Sequence, residues 1–254
     1  SGITADTKMM DTIVKRNQEE DPELFASRLK TITNQSYEMK QALEENNLEE
    51  NTIILFMSDN GGLSAHARGG EPHTHNTPLN SGKGSAYEGG IRVPMLVYWP
   101  EKTKPASSID DYVIIEDFFP SILEMTKSHI PALKQKVGGQ SFVSLIEENN
   151  QSRNQRPLFW HYPNKWGGSG PGIATFSAIR KGDYKLIYYH KDRRFELFNI
   201  RKDIGETSNI SETHTKKTKE LATILSLYLE SVDGQMPLDK RTNKKVELPI
   251  KIFK

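Results

Sequence analysis

The chain has 254 residues, no cysteine and a formal net charge of +1, from 34 Lys and Arg against 33 Asp and Glu. Without cysteine it forms no disulfide or thiolate zinc site, so any metal must be held by oxygen or imidazole ligands. The near-zero net charge gives no electrostatic argument for binding nucleic acid or a membrane surface. The longest apolar runs, residues 53–57 and 95–99, are far shorter than the roughly twenty residues that cross a bilayer.

The first third of the sequence carries a helical pattern followed by a strand pattern. Asp21 is a helix-start signal, and apolar residues then recur at helical spacing over 25–43. Residues 52–57 form a continuous β-branched and apolar run that predicts a strand buried on both faces, ending in the turn 58–62. A helix followed by a buried strand suggests a βαβ-type parallel sheet.

Residues 63–86 show no periodicity and are rich in Gly, His, Thr, Asn and Ser. An aperiodic segment of this length is more often a functional loop than a connector, so we expect a site here. Residues 91–99 predict a second buried strand. Asp117 is the predicted N-cap of a helix over 118–125.

The pattern changes near residue 150, after which short strand signals follow one another. Strands are predicted over 158–161, 173–180, 184–189 and 195–198, with turn signals between consecutive strands that favour an antiparallel meander. An apolar stripe over 221–232 predicts a helix that covers this sheet. We therefore predict an α/β part over 1–150 and an antiparallel subdomain with a terminal helix over 151–254.

Asp59 and Asn60 directly follow the first predicted strand. Ligands of open α/β sheets gather at the carboxyl ends of strands. A carboxylate beside an amide carbonyl offers two hard oxygen donors, which suit Ca²⁺ or Mg²⁺ better than zinc. The alternative is a simple turn, because Asp-Asn-Gly-Gly tolerates unusual backbone angles.

Lys83 lies between two glycines, where the backbone can approach an anion and the ammonium can meet it. The segment is not a P-loop, because the first glycine and its spacing are missing. Taken alone, a solvated loop lysine is the alternative. His161, at the end of a predicted strand, either reaches a pocket or is a hydrogen-bonded, half-buried histidine.

Two segments together closely resemble the type I (formylglycine-dependent) sulfatases: NTIILFMSDNGG over 51–62 and GKGSAYEGGIRVP over 82–94. The later FELFN over 195–199 and DIGET over 203–207 are similar to the C-terminal subdomain of the same family. The resemblance is greatest to bacterial sulfatases that remove sulfate from host or algal glycans. It implies an alkaline-phosphatase-like α/β sandwich, of which 1–150 is the C-terminal part, with a smaller antiparallel subdomain.

The resemblance also implies roles for single residues. Asp59 and Asn60 match the second pair of calcium ligands, with Mg²⁺ as the alternative ion. Lys83 matches the lysine that holds a sulfate oxygen and stabilises charge developing on the departing alcohol oxygen. Glu88 and Arg92 fall in the same motif and are expected to support the loop.

The expected partner is a sulfated carbohydrate or another sulfate ester. Residues 66–80 lie where sulfatases vary with substrate, so His73 and His75 are candidate sugar contacts, as is His161. Metal ligation by His73 and His75 is the less favoured reading of that pair. Export to the periplasm or the cell exterior follows from the resemblance alone.

The chain departs from the family in one large respect. The family nucleophile is a formylglycine made from Cys or Ser in a C/S-x-P-x-R motif, and this sequence has no Cys and no Ser followed by that spacing. We therefore expect a C-terminal portion of a sulfatase, inactive alone, whose formylglycine lies in a missing N-terminal half. Such a piece would bind that half, self-associate, or be only marginally stable.

Two other functions fit parts of the pattern. A phosphatase or phosphodiesterase of the same superfold would need a metal-rich set of Asp and His, commonly for two zinc ions. A non-catalytic glycan-binding module would keep only part of a sugar pocket.

Overall fold

The computed structural model describes residues 38–63, 76–104, 107–128, 137–147, 155–164 and 170–253. The helices with assigned bounds are α1 (Glu88–Ile91), α2 (Phe118–Met125), α3 (Val143–Ile146) and α4 (Thr215–Ser231). The strands are β1 (Ile54–Met57), β2 (Met95–Tyr98), β3 (Leu158–Tyr162), β4 (Phe176–Lys181), β5 (Tyr184–Tyr189), β6 (Arg194–Asn199), β7 (Leu238–Asp239) and β8 (Lys244–Lys245).

The chain forms two compact units. The first takes its described residues from Ser1–Met57 and Pro94–Arg153, and the second from Ser58–Val93 and Asn154–Lys254. Residues 58–62 of the first motif and 82–93 of the second therefore group with the C-terminal residues, whereas residues 51–57 of the first motif belong to the first unit. The division into 1–150 and 151–254 stays a prediction for the domain organisation.

In the first unit, residues 38–45 are helical, at the end of the predicted amphipathic helix whose earlier part lies outside the described residues. Strands β1 and β2 pair antiparallel, with Ile54 opposite Tyr98 and Met57 opposite Met95. The predicted parallel arrangement is wrong for this pair, because an apolar run specifies burial but not strand direction. Burial on both faces is also not observed, since Phe56 is 52% exposed.

The core of the first unit lies between the β1–β2 pair and the helices α2 and α3, around Phe142, Val143 and Met125. Asp117 directly precedes α2 as predicted, but its side chain makes no capping bond to that helix. Its buried carboxylate instead accepts hydrogen bonds from the backbone N–H groups of Ile114 and Gln140. It thus joins two loops rather than capping the helix.

The second unit confirms the predicted meander. Strands β3, β4, β5 and β6 form one antiparallel sheet in chain order. The strand predicted over 173–180 begins only at Phe176, because Phe176 pairs with Tyr162, the last residue of β3, and the earlier residues have no partner on that strand.

The apolar stripe of α4 covers one face of the meander, as predicted. Leu221, Leu225 and Leu229 are buried against side chains of β4 to β6. Phe159 of β3 stacks on Tyr228 of α4, with ring centroids 3.8 Å apart. The other face of the sheet packs on residues 86–87 of the motif segment. None of the helices in the described part of the chain is long and apolar enough to cross a membrane.

Candidate active site

The two sequence motifs meet through backbone hydrogen bonds within the second unit. We call residues 59–62 the Asp-Asn turn and residues 82–90 the lysine loop. The N–H of Gly61 donates to the carbonyl of Gly90, and the N–H of Lys83 donates to the carbonyl of Gly62. The N···O distance is 3.0 Å in each bond. The Asp-Asn turn and the lysine loop therefore form one local structure.

This contact requires glycine at its centre. A Cβ atom on Gly61 would lie 1.7 Å from the carbonyl oxygen of Gly89, and one on Gly90 would lie 2.4 Å from that of Ser85. Backbone atoms cannot move aside as a flexible side chain can. The glycines of both motifs thus serve the close approach of the two segments.

Asn76 also holds the two segments together, and sequence reasoning did not identify it. Its amide group accepts from the N–H of Gly62 and donates to the carbonyls of Gly62 and Ser81. An asparagine in an aperiodic polar loop carries no signal for a contact 14 residues away in sequence. Only the fold reveals this role.

A cavity of about 410 Å³ lies where these segments meet strands β3 and β4. Its size falls within the range of small-molecule sites. Asn60 and Lys83 both line it, so the structure brings together two of the predicted site residues. The remaining lining residues are Gly84, Ser85, Gly90, Ile91, Phe159, Trp160, His161, Tyr162 and Phe176.

Asp59 and Asn60 are placed so that their side chains touch. The side-chain amide of Asn60 donates to the Asp59 carboxylate at an N···O distance of 2.7 Å, and Asp59 is exposed. Carboxylate and amide oxygens suit a hard divalent cation, so this pair fits part of a calcium site. The described residues contain no group of three or more His, Asp, Glu or Cys that could hold a metal. The pair alone supplies too few of the six to eight oxygens that Ca²⁺ takes.

Lys83 is half-buried at the cavity wall. Within the described ranges its ammonium has no carboxylate within ion-pair distance, whereas the neighbouring Glu88 is fully engaged by other cations. A half-buried cation at a concave surface is suited to bind an anion.

Glu88 anchors the lysine loop to the meander through a buried charge network. Its carboxylate lies 2.9 Å from the guanidinium of Arg180 and 3.0 Å from the ammonium of Lys185. Lys185 also lies 2.8 Å from Glu206, whose carboxylate accepts the backbone N–H of Glu88. The expectation that Glu88 supports the loop stays a prediction of function, and these contacts supply its physical basis.

The network is electrically balanced, with two carboxylates and two cations in a buried setting. Attraction by Lys185 and Arg180 outweighs the burial that opposes it and holds the pKa of Glu88 below its usual value. Burial raises the pKa of Glu206. Arg92 lies at the margin, 3.8 Å from Glu88 with its side chain 54% exposed, so this ion pair adds little.

Tyr87 provides a second anchor for the lysine loop. Its hydroxyl donates to the carboxylate of Glu196, which also accepts from Tyr189 and Arg194. Burial raises the pKa values of both phenols, so both remain donors at neutral pH. The loop is therefore bound to the sheet at two consecutive residues.

His161 borders the cavity, but both its ring nitrogens are hydrogen-bonded within the protein. Nδ1 bonds to the hydroxyl of Ser177 and Nε2 to the carbonyl of Gln235. The Ser177 hydroxyl also bonds to His190. Burial, with the nearby His161, lowers the pKa of His190 to about 3. His73 and His75 lie outside the described residues.

Two protein-family models match the sequence of this chain. The family model described as N-sulphoglucosamine sulphohydrolase, C-terminal, matches residues 82–235, and the sulfatase model matches residues 13–128. The chain belongs to the sulfatase family. The resemblance seen in the two motifs is thereby confirmed.

Relatives and solved structures agree with this assignment. A sulfatase of Formosa agariphila is 34% identical over 181 residues, which are 69% of this chain and 32% of that protein. The N-acetylgalactosamine-6-O-sulfatase of Bacteroides thetaiotaomicron is 27% identical over 74% of this chain and 38% of its own. The chain thus spans about a third of the length of these relatives.

The solved structures confirm the fold. Ps i-CgsB, determined in complex with k-i-k-neocarrahexaose, is 28% identical with a TM-score of 0.62, over 77% of this chain and 40% of that chain. A 2-O GAG sulfatase, 20% identical, has a TM-score of 0.62 over 88% of this chain and 44% of its own. The fold is part of the alkaline-phosphatase-like α/β architecture of sulfatases.

Proposed function

We propose that this chain is the C-terminal portion of an enzyme that hydrolyses sulfate esters of sulfated glycans. One observation carries the proposal: the two sulfatase motifs are hydrogen-bonded to each other and place Asn60 and Lys83 in the wall of one cavity. The names of the relatives support the substrate class, since one is named an N-acetylgalactosamine-6-O-sulfatase and another was solved with k-i-k-neocarrahexaose.

Lys83 acts on the anion in this proposal. Its ammonium binds a sulfate oxygen and stabilises the negative charge that develops on the departing alcohol oxygen. A preorganised cation in a partly desolvated site contributes more to this stabilisation than the same cation in water. Glu88 and Tyr87 hold the loop in position, and neither residue lines the cavity.

Asp59 and Asn60 would contribute two oxygen ligands to a divalent cation, Ca²⁺ or alternatively Mg²⁺. When bound, such an ion offsets the negative charge of the sulfate group and of an attacking oxygen. The other ligands would come from outside the described residues. The exposed Asp59 carboxylate is accessible to them.

The nucleophile would be a formylglycine supplied by a missing N-terminal half, because this sequence lacks the C/S-x-P-x-R motif. The 254 residues alone are then inactive. Phe56 on β1 is 52% exposed, and that half would cover its apolar side chain. Self-association through the same surface is the alternative. The proposed enzyme is exported to the periplasm or to the cell exterior.

The test uses the full-length protein and its Lys83→Ala variant. Release of inorganic sulfate from k-i-k-neocarrahexaose and from N-acetylgalactosamine 6-O-sulfate is measured by ion chromatography. We expect Lys83→Ala to lower kcat roughly 100-fold or more without changing the melting temperature. The exposed Lys191→Ala is the matched control and should keep full activity. Near-normal sulfate release by Lys83→Ala would remove this lysine from the site.

Metal analysis of the same protein separates the sulfatase from a phosphatase of the same superfold. One calcium per chain is expected, and Asp59→Ala should lose it. Two zinc ions per chain, with release of phosphate rather than sulfate, would contradict the proposal.

A further inference from the structure

One wall of the cavity is aromatic, and the roles proposed above do not use it. Trp160 and Tyr162 stand two residues apart on β3 and line the cavity with Lys83. Phe176 lies directly opposite Tyr162 on β4, with the two ring centroids 5.8 Å apart. These three side chains, which we call the aromatic wall, lie in the same unit as the lysine loop.

The alternation of β3 explains which side chains form this wall. Phe159 and His161 also border the cavity, but their side chains are held by other contacts: Phe159 stacks on Tyr228 of α4, and His161 bonds to the carbonyl of Gln235. Because neighbouring residues of a strand face opposite ways, Trp160 and Tyr162 share the other face. That face packs on the cluster that contains Ala86 and Tyr87 of the lysine loop.

Trp160 and Tyr162 are partly exposed, and each has a polar group that is not hydrogen-bonded to the described residues. Both are only half-buried, whereas Phe176 behind them is buried. Within the described parts of the chain, neither the indole N–H of Trp160 nor the hydroxyl of Tyr162 has a hydrogen-bond partner. Flat apolar faces with a polar group at one end suit a ligand that has both C–H faces and hydroxyl groups.

We propose that Trp160 and Tyr162 bind the sugar ring of the substrate and determine which glycan the enzyme accepts. The pyranose C–H face stacks on the aromatic wall while Lys83 binds the sulfate group of the same substrate. The inference rests on the proposed function and goes beyond it, because it assigns the sugar to β3. In this proposal Trp160 and Tyr162, rather than His161, are the residues of β3 that contact the sugar. Both ring nitrogens of His161 are already hydrogen-bonded within the protein.

The test compares a sugar substrate with one that has no ring. Full-length protein and its Trp160→Ala and Tyr162→Ala variants are assayed for sulfate release. The substrates are whichever of the two sulfated sugars above is hydrolysed faster, and hexyl sulfate. We expect KM for the sugar to rise roughly tenfold or more, because stacking area is lost, while kcat changes by less than about threefold. Rates on hexyl sulfate should not change.

Conservative variants separate stacking from structure. Trp160→Phe keeps a ring face and should recover most of the KM, whereas Trp99→Phe, in the other unit, is the control for any general effect of losing a tryptophan. Equal losses on the sugar and on hexyl sulfate, or no loss on either, would overturn the inference.

A binding measurement distinguishes failure of this inference from failure of the proposed function. Quenching of tryptophan fluorescence by k-i-k-neocarrahexaose and, separately, by N-acetylgalactosamine 6-O-sulfate is followed in the wild-type protein and in Trp160→Phe. If the wild type releases sulfate from no substrate, the proposed function fails. Sugar-dependent quenching that is lost in Trp160→Phe would still support the aromatic wall. Quenching that persists in Trp160→Phe, or none in the wild type, would refute it.

Discussion

Lys185 offers the sharpest test of how the lysine loop is held in place. Its ammonium is fully buried between the carboxylates of Glu88 and Glu206, at 3.0 and 2.8 Å. Replacing Lys185 by Met keeps most of the side-chain volume and removes the charge. Glu88 then keeps Arg180 as its main cation, whereas Glu206 loses the cation that lies 2.8 Å from it.

The magnitude follows from the cost of an uncompensated buried charge. Breaking a buried ion pair by removing one partner costs about 3–5 kcal/mol. For a domain of this size, that loss corresponds to roughly 10 °C in melting temperature. The lysine loop should lose one of its anchors at the same time, because Lys185 is the residue of β5 that binds Glu88.

The assay is urea unfolding of the 254-residue chain at pH 7, followed by far-ultraviolet circular dichroism. The exposed Lys191→Met is the control and should stay within about 0.5 kcal/mol of wild type. The double variant Lys185→Met/Glu206→Gln should recover at least part of the loss, because one of the unpaired charges is gone. A loss below about 1 kcal/mol in Lys185→Met would refute the reasoning, since it would mean that water already solvates the network.

Acid should lessen the defect of Lys185→Met. Burial raises the pKa of Glu206 in the folded wild-type chain, and loss of the lysine raises it further. A carboxyl group with a raised folded pKa takes up its proton first in the native state, so its contribution to stability increases as the pH falls through that pKa. The difference in free energy of unfolding between Lys185→Met and the wild type should therefore shrink between pH 7 and about pH 5.

Two further predictions concern His190 and Gly61. The folded pKa of His190 is about 3 against an ordinary 6.5, so the unfolded chain binds the proton first and stability falls as the pH drops below 6.5. From pH 6.5 to about pH 5 this amounts to about 2 kcal/mol, and His190→Gln should flatten the pH dependence of urea unfolding. An unchanged slope in that variant would place the titration elsewhere. Gly61→Ala should lower stability by about 2 kcal/mol or more, because the new Cβ meets a backbone carbonyl at 1.7 Å. Gly138→Ala, with nothing within 4 Å of its Cβ, is the control, and equal melting temperatures for the two variants would contradict the close approach.

The C-terminal sheet and helix could be predicted from sequence because their signals are local. Turn residues between short β-rich segments specify a hairpin without reference to distant residues. The stripe on α4 repeats at the helical period, and Leu221, Leu225 and Leu229 are buried as that period requires. The antiparallel pairing of β1 and β2 could not be predicted in this way, since strand direction depends on the path of the chain between them.

The sequence by itself determined the family and the local chemistry of the candidate site. The Asp-Asn turn and the lysine loop are each a few consecutive residues, and their motifs require no knowledge of the fold to be recognised. Their glycines, too, are visible in the sequence, although the reason for them is not.

Only the tertiary structure decided which residues surround and support that chemistry. Glu88 meets Lys185 and Arg180 across more than ninety residues of sequence, and Trp160 and Tyr162 reach the cavity of Lys83 from a different strand. The physical reason is that buried charges and apolar surfaces are satisfied by whichever groups the packed chain brings within a few ångströms. Spacing along the sequence carries no record of those distances.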